Sequence, residues 1–256
     1  MMKLGIIQGR LSAPTEGFQE CPRLWQREFF HLLSLELDHI EWIITKNSFN
    51  TNPFFSYDLS GYPIHAVCAD NLVDERIDNL NFMEENLDPI CKAAVANDVE
   101  FVTIPLLESS SVVNADKRAA FKQVLTRFTT KYPGLKFSLE AELEAEKLLE
   151  LLTDDESVYI TYDTGNITSC GFNHEEYIRL LSDRFSNVHL KDRTLDAKTV
   201  PPGTGDTNFR LIFDSLRSVN YSGVFTMQTA RECEGEELQT VARHMNILRR
   251  INEQLI

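Results

Sequence analysis

Eight short runs rich in apolar and β-branched residues recur along this chain, and polar or amphipathic stretches separate them. They are LGIIQ (4–8), HIEWII (39–44), YPIHAVCA (62–69), EFVTIPL (100–106), LKFSLE (135–140), VYITYD (158–163), NVHLK (187–191) and VFTMQ (224–228). Several place apolar residues at consecutive positions, as parallel strands covered on both faces do. Between the runs, apolar residues return every three or four positions over 74–96, 115–131, 142–152, 174–182, 207–219 and 236–255, the period of an amphipathic helix. Segment 45–61 is crowded with Asn, Ser, Pro and Gly, so the second unit is expected to have a short helix or none.

Eight units in 256 residues leave about 32 residues per unit, enough for one strand, one helix and two short loops. That is the size of a closed (β/α)8 TIM barrel of the α/β class, expected here as one domain over 1–256. An open doubly wound sheet fits less well, because no GxGxxG follows the first strand. The net charge of −14 repels polyanions, so nucleic acid and anionic membrane surfaces are poor partners. Apolar stretches of about 5–7 residues fall far short of a bilayer span, and the N-terminal apolar run is too short for a secretory signal. The five cysteines form no CxxC pair, which argues against a disulfide framework or zinc ribbon. A cytoplasmic protein is the expectation.

In such a barrel the chemistry sits where the strands end. Read that way, Gln8 and Arg10 follow the first run, Glu41 lies within the second, and His65 within the third. Glu140, Asp163, His189 with Lys191, and Gln228 with Arg231 mark the last four. Glu140, Asp163, His189 and Gln228 lie about one βα unit apart, so four successive strands would aim them at one point. Two carboxylates, an imidazole and an amide oxygen suit Mn2+, Mg2+ or Co2+, with Zn2+ as a further option, more than a thiolate-bound metal. Arg10, Lys191, Arg193 and Arg231 cluster at one corner and point to an anionic group on the substrate, since the last loops of barrels are the usual phosphate site.

The chain resembles the sugar phosphate isomerase/epimerase family of xylose isomerase-like TIM barrels. The resemblance rests on LGIIQGRLS, SLEAEL, YITYDTGN ending in Asn166, NVHLKDR (with Asp192 and Arg193), VPPGTGDTNF and FTMQTAR. It implies one divalent metal held by Glu140, Asp163, His189 and the position of Gln228, where the family carries Glu. Gln228 can lend its carbonyl oxygen to a metal but cannot act as a base. The resemblance implies proton abstraction next to a carbonyl, through an enediolate; with Gln228 in place of the family's Glu, Glu140 would act as a single base or recruit a second one. Lys191, Glu41 and His65 would polarise or relay, and Arg10, Asn166, Asp192, Arg193 and Arg231 would contact a small, anionic carbohydrate.

Plainer readings stand beside these. Gln228 could bond a neighbouring strand end, 163–166 could be only a turn, and His65 could line the core. Two other functions compete: an abasic-site nuclease of the endonuclease IV type, which the charge opposes, and a binding protein that keeps the barrel without activity. Trp25, Trp42, Phe54 and Phe55 could form a contact with a second copy, so a dimer is open.

Overall fold

The computed structural model describes residues 2–14, 20–152 and 156–253. Its centre is a closed barrel of parallel strands: β1 (Lys3–Ile7), β2 (Ile40–Ile43), β3 (Ile64–Cys68), β4 (Phe101–Leu106), β5 (Lys136–Ala141), β6 (Val158–Asp163), β7 (Phe185–Leu190) and β8 (Val224–Met227). They pair in chain order, and β8 closes on β1 through Lys3↔Val224 to Ile6↔Met227. Each strand falls within two residues of its apolar run. The consecutive apolar positions have the expected cause: β2, β4 and β7 are buried at every residue.

The helices depart from expectation in instructive ways. The segment 74–96 is two helices, Leu80–Asn86 and Asp88–Ala96, because Pro89 must sit in the first turn of a helix rather than inside one. Segment 142–152 forms only Ala145–Leu149, and 45–61 holds a single turn of 3-10 helix at Pro53–Phe55, as its composition implies. The helix expected over 236–255 runs over Glu237–Glu253, its last two residues lying outside the described ones. Two helices were not foreseen. Gln26–Ser34 packs Phe29 and Leu32 inward but leaves Phe30 and Leu33 in solvent, which blurs its apolar stripe. Thr164–Ser169 (TGNITS) is built of weak helix formers and starts because Asp163 caps it.

Trp25, Trp42 and Phe54 belong to the core rather than to a surface contact, which corrects the dimer surface expected from them. Trp25 meets Trp42 edge to face, with centroids 5.6 Å apart, between the first helix and β2. Phe55 is partly buried against the same core.

Candidate metal and substrate site

β5, β6 and β7 end side by side at the mouth of the barrel, and Asp163 and His189 are register partners. One ligand atom each from Glu140, Asp163 and His189 lies within 4.8 Å of the others, and all three residues are buried. His189 Nδ1 faces Asp163 Oδ2 at 3.8 Å and Glu140 Oε2 at 3.9 Å. Both are beyond hydrogen-bonding range, and this buried nitrogen has no hydrogen-bond partner among the described residues. A buried ring nitrogen with no partner, aimed between two carboxylates, is an arrangement that a divalent cation satisfies by displacing any proton held there, so the donor set fits a metal.

The imidazole is set from behind. His189 Nε2 donates to Glu41 Oε2 at 2.6 Å, which leaves Nδ1 to face the carboxylates. Glu41 also accepts from Asn187 Nδ2 at 2.9 Å and from Thr103 Oγ1 at 3.0 Å. Burial opposes the Glu41 charge, yet the adjacent His189 and the hydrogen bonds hold its carboxyl below the usual range. Conversely, burial works against a charged His189, and Glu41 first, with Asp163 and Glu140, more than offsets it, so the ring titrates well above an ordinary histidine. Burial pushes Glu140 upward against the pull of His189. For Asp163, burial is outweighed by Lys191 and the neighbouring donors, which hold it low.

Lys191 reaches into the same space. Its Nζ donates to Gln228 Oε1 at 3.1 Å, Asp163 Oδ2 at 3.2 Å and Asn166 Oδ1 at 3.3 Å. Asn166 in turn donates to Glu140 Oε1 at 2.9 Å, and its backbone N–H caps onto Asp163 at 2.8 Å. Gly165 makes this packing feasible: a Cβ there would stand 2.9 Å from Lys191 Cγ and 3.1 Å from the Lys191 carbonyl. The motif DTGN is therefore a strand end, a helix cap and a close approach in four residues, more than a turn. Gln228 is at the site, with its amide oxygen engaged by Lys191.

Several residues expected at the substrate lie elsewhere. Glu41 is fully buried and sits behind His189, so it orients the ring rather than meeting substrate. His65 is the second residue of β3, away from the strand ends that form the mouth, and its Nε2 lies 3.2 Å from the Ser186 carbonyl. Asp192 is spent on the loop that follows: its carboxylate accepts the backbone N–H groups of Gly203, Thr204, Gly205 and Thr207 at 2.7–3.2 Å. Arg10 and Arg231 do meet at one corner, but they brace backbone. Arg10 Nε donates to the Thr229 carbonyl at 3.1 Å, and Arg231 to the carbonyls of Ser12, at 3.0 Å, and Gly9. Burial, then the neighbouring Arg231, lower Arg10 to about 9, Glu28 acting in the opposite sense. Arg193 turns toward Glu142, 3.7 Å away, and Ser169.

Thr103 and Asn187 support Glu41 but went unseen in the sequence. So did Glu28, whose buried carboxylate accepts the N–H groups of Gly9 and Leu11 at 2.6 and 3.1 Å. Glu28 lies on the unforeseen first helix, so nothing in the strand-end reading could reach it. Of the loop 12–22, residues 15–19 lie outside the described residues.

The model of the xylose isomerase-like TIM barrel family matches residues 75–251, and the chain belongs to this family. Inosose dehydratase from Clostridium tetani is 29% identical over 107 residues, 35% of this chain and 36% of that protein. Inosose dehydratase from Clostridium perfringens is 25% identical over 157 residues, 50% of this chain and 52% of that one. The chain thus spans about a third to a half of the length of these curated relatives. Among solved structures, 3-keto-D-glucoside 4-epimerase from E. coli aligns with TM-score 0.67 at 18% identity, covering 98% of this chain and 100% of that one. The IolI protein, solved with a zinc atom, aligns with TM-score 0.74 at 15% identity over 96% and 98%. These likenesses show the fold. Among the described residues no helix is long and apolar enough to cross a membrane.

Proposed function

We propose that this chain is a metal-dependent isomerase or epimerase of a small carbohydrate, working by proton abstraction next to a carbonyl with Glu140 as base. The observation that carries the reading is the unpartnered Nδ1 of His189, facing Asp163 and Glu140 while Glu41 occupies the other ring nitrogen. Glu140, Asp163 and His189 would hold the ion, with Gln228 able to add an amide oxygen. Bound there, a divalent ion supplies Lewis acidity toward a substrate carbonyl and stabilises the negative charge that grows on its oxygen.

The remaining work falls to the chain's own groups. Glu140 takes the proton, and Asn166 Nδ2 holds one of its oxygens so that the other can face the reacting carbon. Lys191, fixed by Asp163, Asn166 and Gln228, places a positive charge beside the developing oxyanion. Gln228 cannot collect a proton, so it cannot serve as a second base opposite Glu140. The substrate is a small polyhydroxylated carbonyl compound. Arg10 Nε and the terminal nitrogens of Arg231 bind backbone carbonyls, so these contacts give no support to an anionic handle.

One-base chemistry favours a second reading, dehydration. A proton leaves the carbon next to the carbonyl, and the hydroxyl on the next carbon departs, protonated, as water. The dehydratases among the relatives support it. Exchange of substrate carbon-bound hydrogen with D2O, followed by NMR across a panel of ketoses and inososes with Mn2+ present, tests the proposal. The protein should catalyse exchange or turnover of at least one compound, and Glu140→Gln should lower that rate by about a thousandfold or more. Undiminished exchange in the variant removes Glu140 from the mechanism.

A further inference from the structure

We infer that Lys191 is a built-in counter-cation of the proposed metal centre, held there by Gln228 and Asn166, and that it keeps the affinity for the divalent ion low. The inference rests on the metal reading above. Its geometry is the sharing of one oxygen. Asp163 Oδ2 lies 3.8 Å from the unpartnered His189 Nδ1 on one side and 3.2 Å from the Lys191 ammonium on the other. The carboxylate that must bind the ion is therefore already bound to a cation.

The lysine is placed by construction and is largely shut off from solvent. Its ammonium has three oxygen acceptors, from β6, from the helix Thr164–Ser169 and from the end of β8. Its stem runs against Gly165, where any side chain would collide with it. Its backbone is clamped by Thr164, whose Oγ1 donates to the Lys191 carbonyl at 2.8 Å and accepts from the Lys191 N–H at 3.0 Å. An ammonium so fixed cannot swing away without leaving three acceptors unpaired in a buried site.

Gln228 takes on a distinct meaning in this arrangement. A carboxylate at that position would neutralise the ammonium. An amide holds it by hydrogen bonding and leaves its charge to act on the site. Lys191 then keeps its full charge beside Glu140 and Asp163, and an incoming ion must share Asp163 with an ammonium already bound to it. A unit charge about 5 Å from a doubly charged ion weakens binding by about tenfold or more even at the screening of bulk water.

Calorimetric titration of chelator-treated protein with Mn2+ tests the inference, comparing wild type with Lys191→Met and Lys191→Arg, each checked for folding by circular dichroism. Lys191→Met should bind Mn2+ at least about tenfold more tightly than wild type, while Lys191→Arg, which keeps the charge, stays within a few-fold. Equal or weaker binding by a folded Lys191→Met overturns the inference and leaves the metal centre standing. Absence of Mn2+ binding in wild type and all variants overturns the metal reading, and the inference with it. If Lys191→Met does not fold, Gly165→Ala, which displaces the stem without removing the charge, should also tighten binding, and unchanged affinity there counts against the inference.

Discussion

Replacing Glu41 by Gln separates the stability of the barrel from the readiness of its metal site. The carboxylate has no solvent exposure and accepts three bonds, from His189 Nε2 at 2.6 Å, Asn187 Nδ2 at 2.9 Å and Thr103 Oγ1 at 3.0 Å. A glutamine fills the same volume but offers one oxygen and one NH2 group. Its NH2 must face at least one of the three donors. One buried donor left unpaired costs about 1–3 kcal/mol, and the lost charge-assisted bond to His189 adds to it. Removing a buried negative charge recovers part of this, so the unfolding free energy should fall by about 2 kcal/mol.

The larger effect falls on the imidazole. Without a carboxylate behind Nε2, the ring loses the partner that keeps its proton on that nitrogen. The tautomer with the proton on Nδ1 then gains ground, since that proton would point toward Glu140 and Asp163. That tautomer has no lone pair for an ion. Loss of such a supporting partner lowers metal affinity by about 10–100-fold. Urea unfolding of chelator-treated protein gives the first quantity, calorimetry with Mn2+ the second, and 15N shifts of the His189 ring report the tautomer. Thr103→Val is the control: it removes one bond to the other Glu41 oxygen and should cost about 1 kcal/mol with metal affinity nearly unchanged. A folded Glu41→Gln protein that binds Mn2+ as tightly as wild type would refute the orienting role of Glu41.

Two further predictions concern the frame around the site. Gly205→Ala should destabilise the protein by about 2 kcal/mol or more in urea unfolding, because the added Cβ would press onto Asp192 Oδ1 and come within 2.8 Å of the Arg193 carbonyl; wild-type stability would mean that the loop is not pinned there. Asp88, bonded by Lys92, Lys131 and Tyr132, is held down to about 2 against the cost of its burial. A lowered carboxyl stabilises the fold above its unfolded pKa and loses that contribution as pH falls through the folded value. Asp88→Asn should therefore cost about 1–2 kcal/mol at pH 7, with the difference from wild type shrinking between about pH 5 and pH 2; a constant difference across that range would contradict it.

What could be read from the sequence, and what could not, follows from the physics of each signal. The strands were legible because burial on both faces forces consecutive apolar residues, a pattern that needs no tertiary information. Glu140, Asp163 and His189 were legible because each interrupts such a run at or near its end. Depth inside the barrel was not. Glu41 and His65 sit early in their strands, and the tilt and stagger that put them below the mouth are properties of the closed barrel. The roles of Arg10, Arg231 and Asp192 were missed for a related reason. A charged residue after a strand is equally suited to a ligand or to loop carbonyls and amides, and only the folded loops decide. The Lys191–Gln228 contact joins residues on different strands, so no local pattern announces it.

The interior of the barrel explains why the site tolerates so many buried polar groups. Barrels of this kind are usually filled by layers of Val, Ile and Leu. Here the interior also carries polar groups: Ser138 bonds Thr161 and Ser186 at 2.7 and 2.5 Å, and Thr226 donates to Asn187 Oδ1 at 3.0 Å. Thr226 Oγ1 also lies 2.8 Å from His39 Nε2, and the His39 ring packs so tightly on Gly5 that no side chain fits there. An apolar filling would be cheaper to fold, since each buried polar group must recover its lost hydration through a partner. What it could not do is hold Asn187 and Thr103 against Glu41, and Glu41 against His189. The polar layer thus gives up stability to fix the imidazole beneath the mouth, and disturbing it from below should show in ion affinity before it shows in the fold.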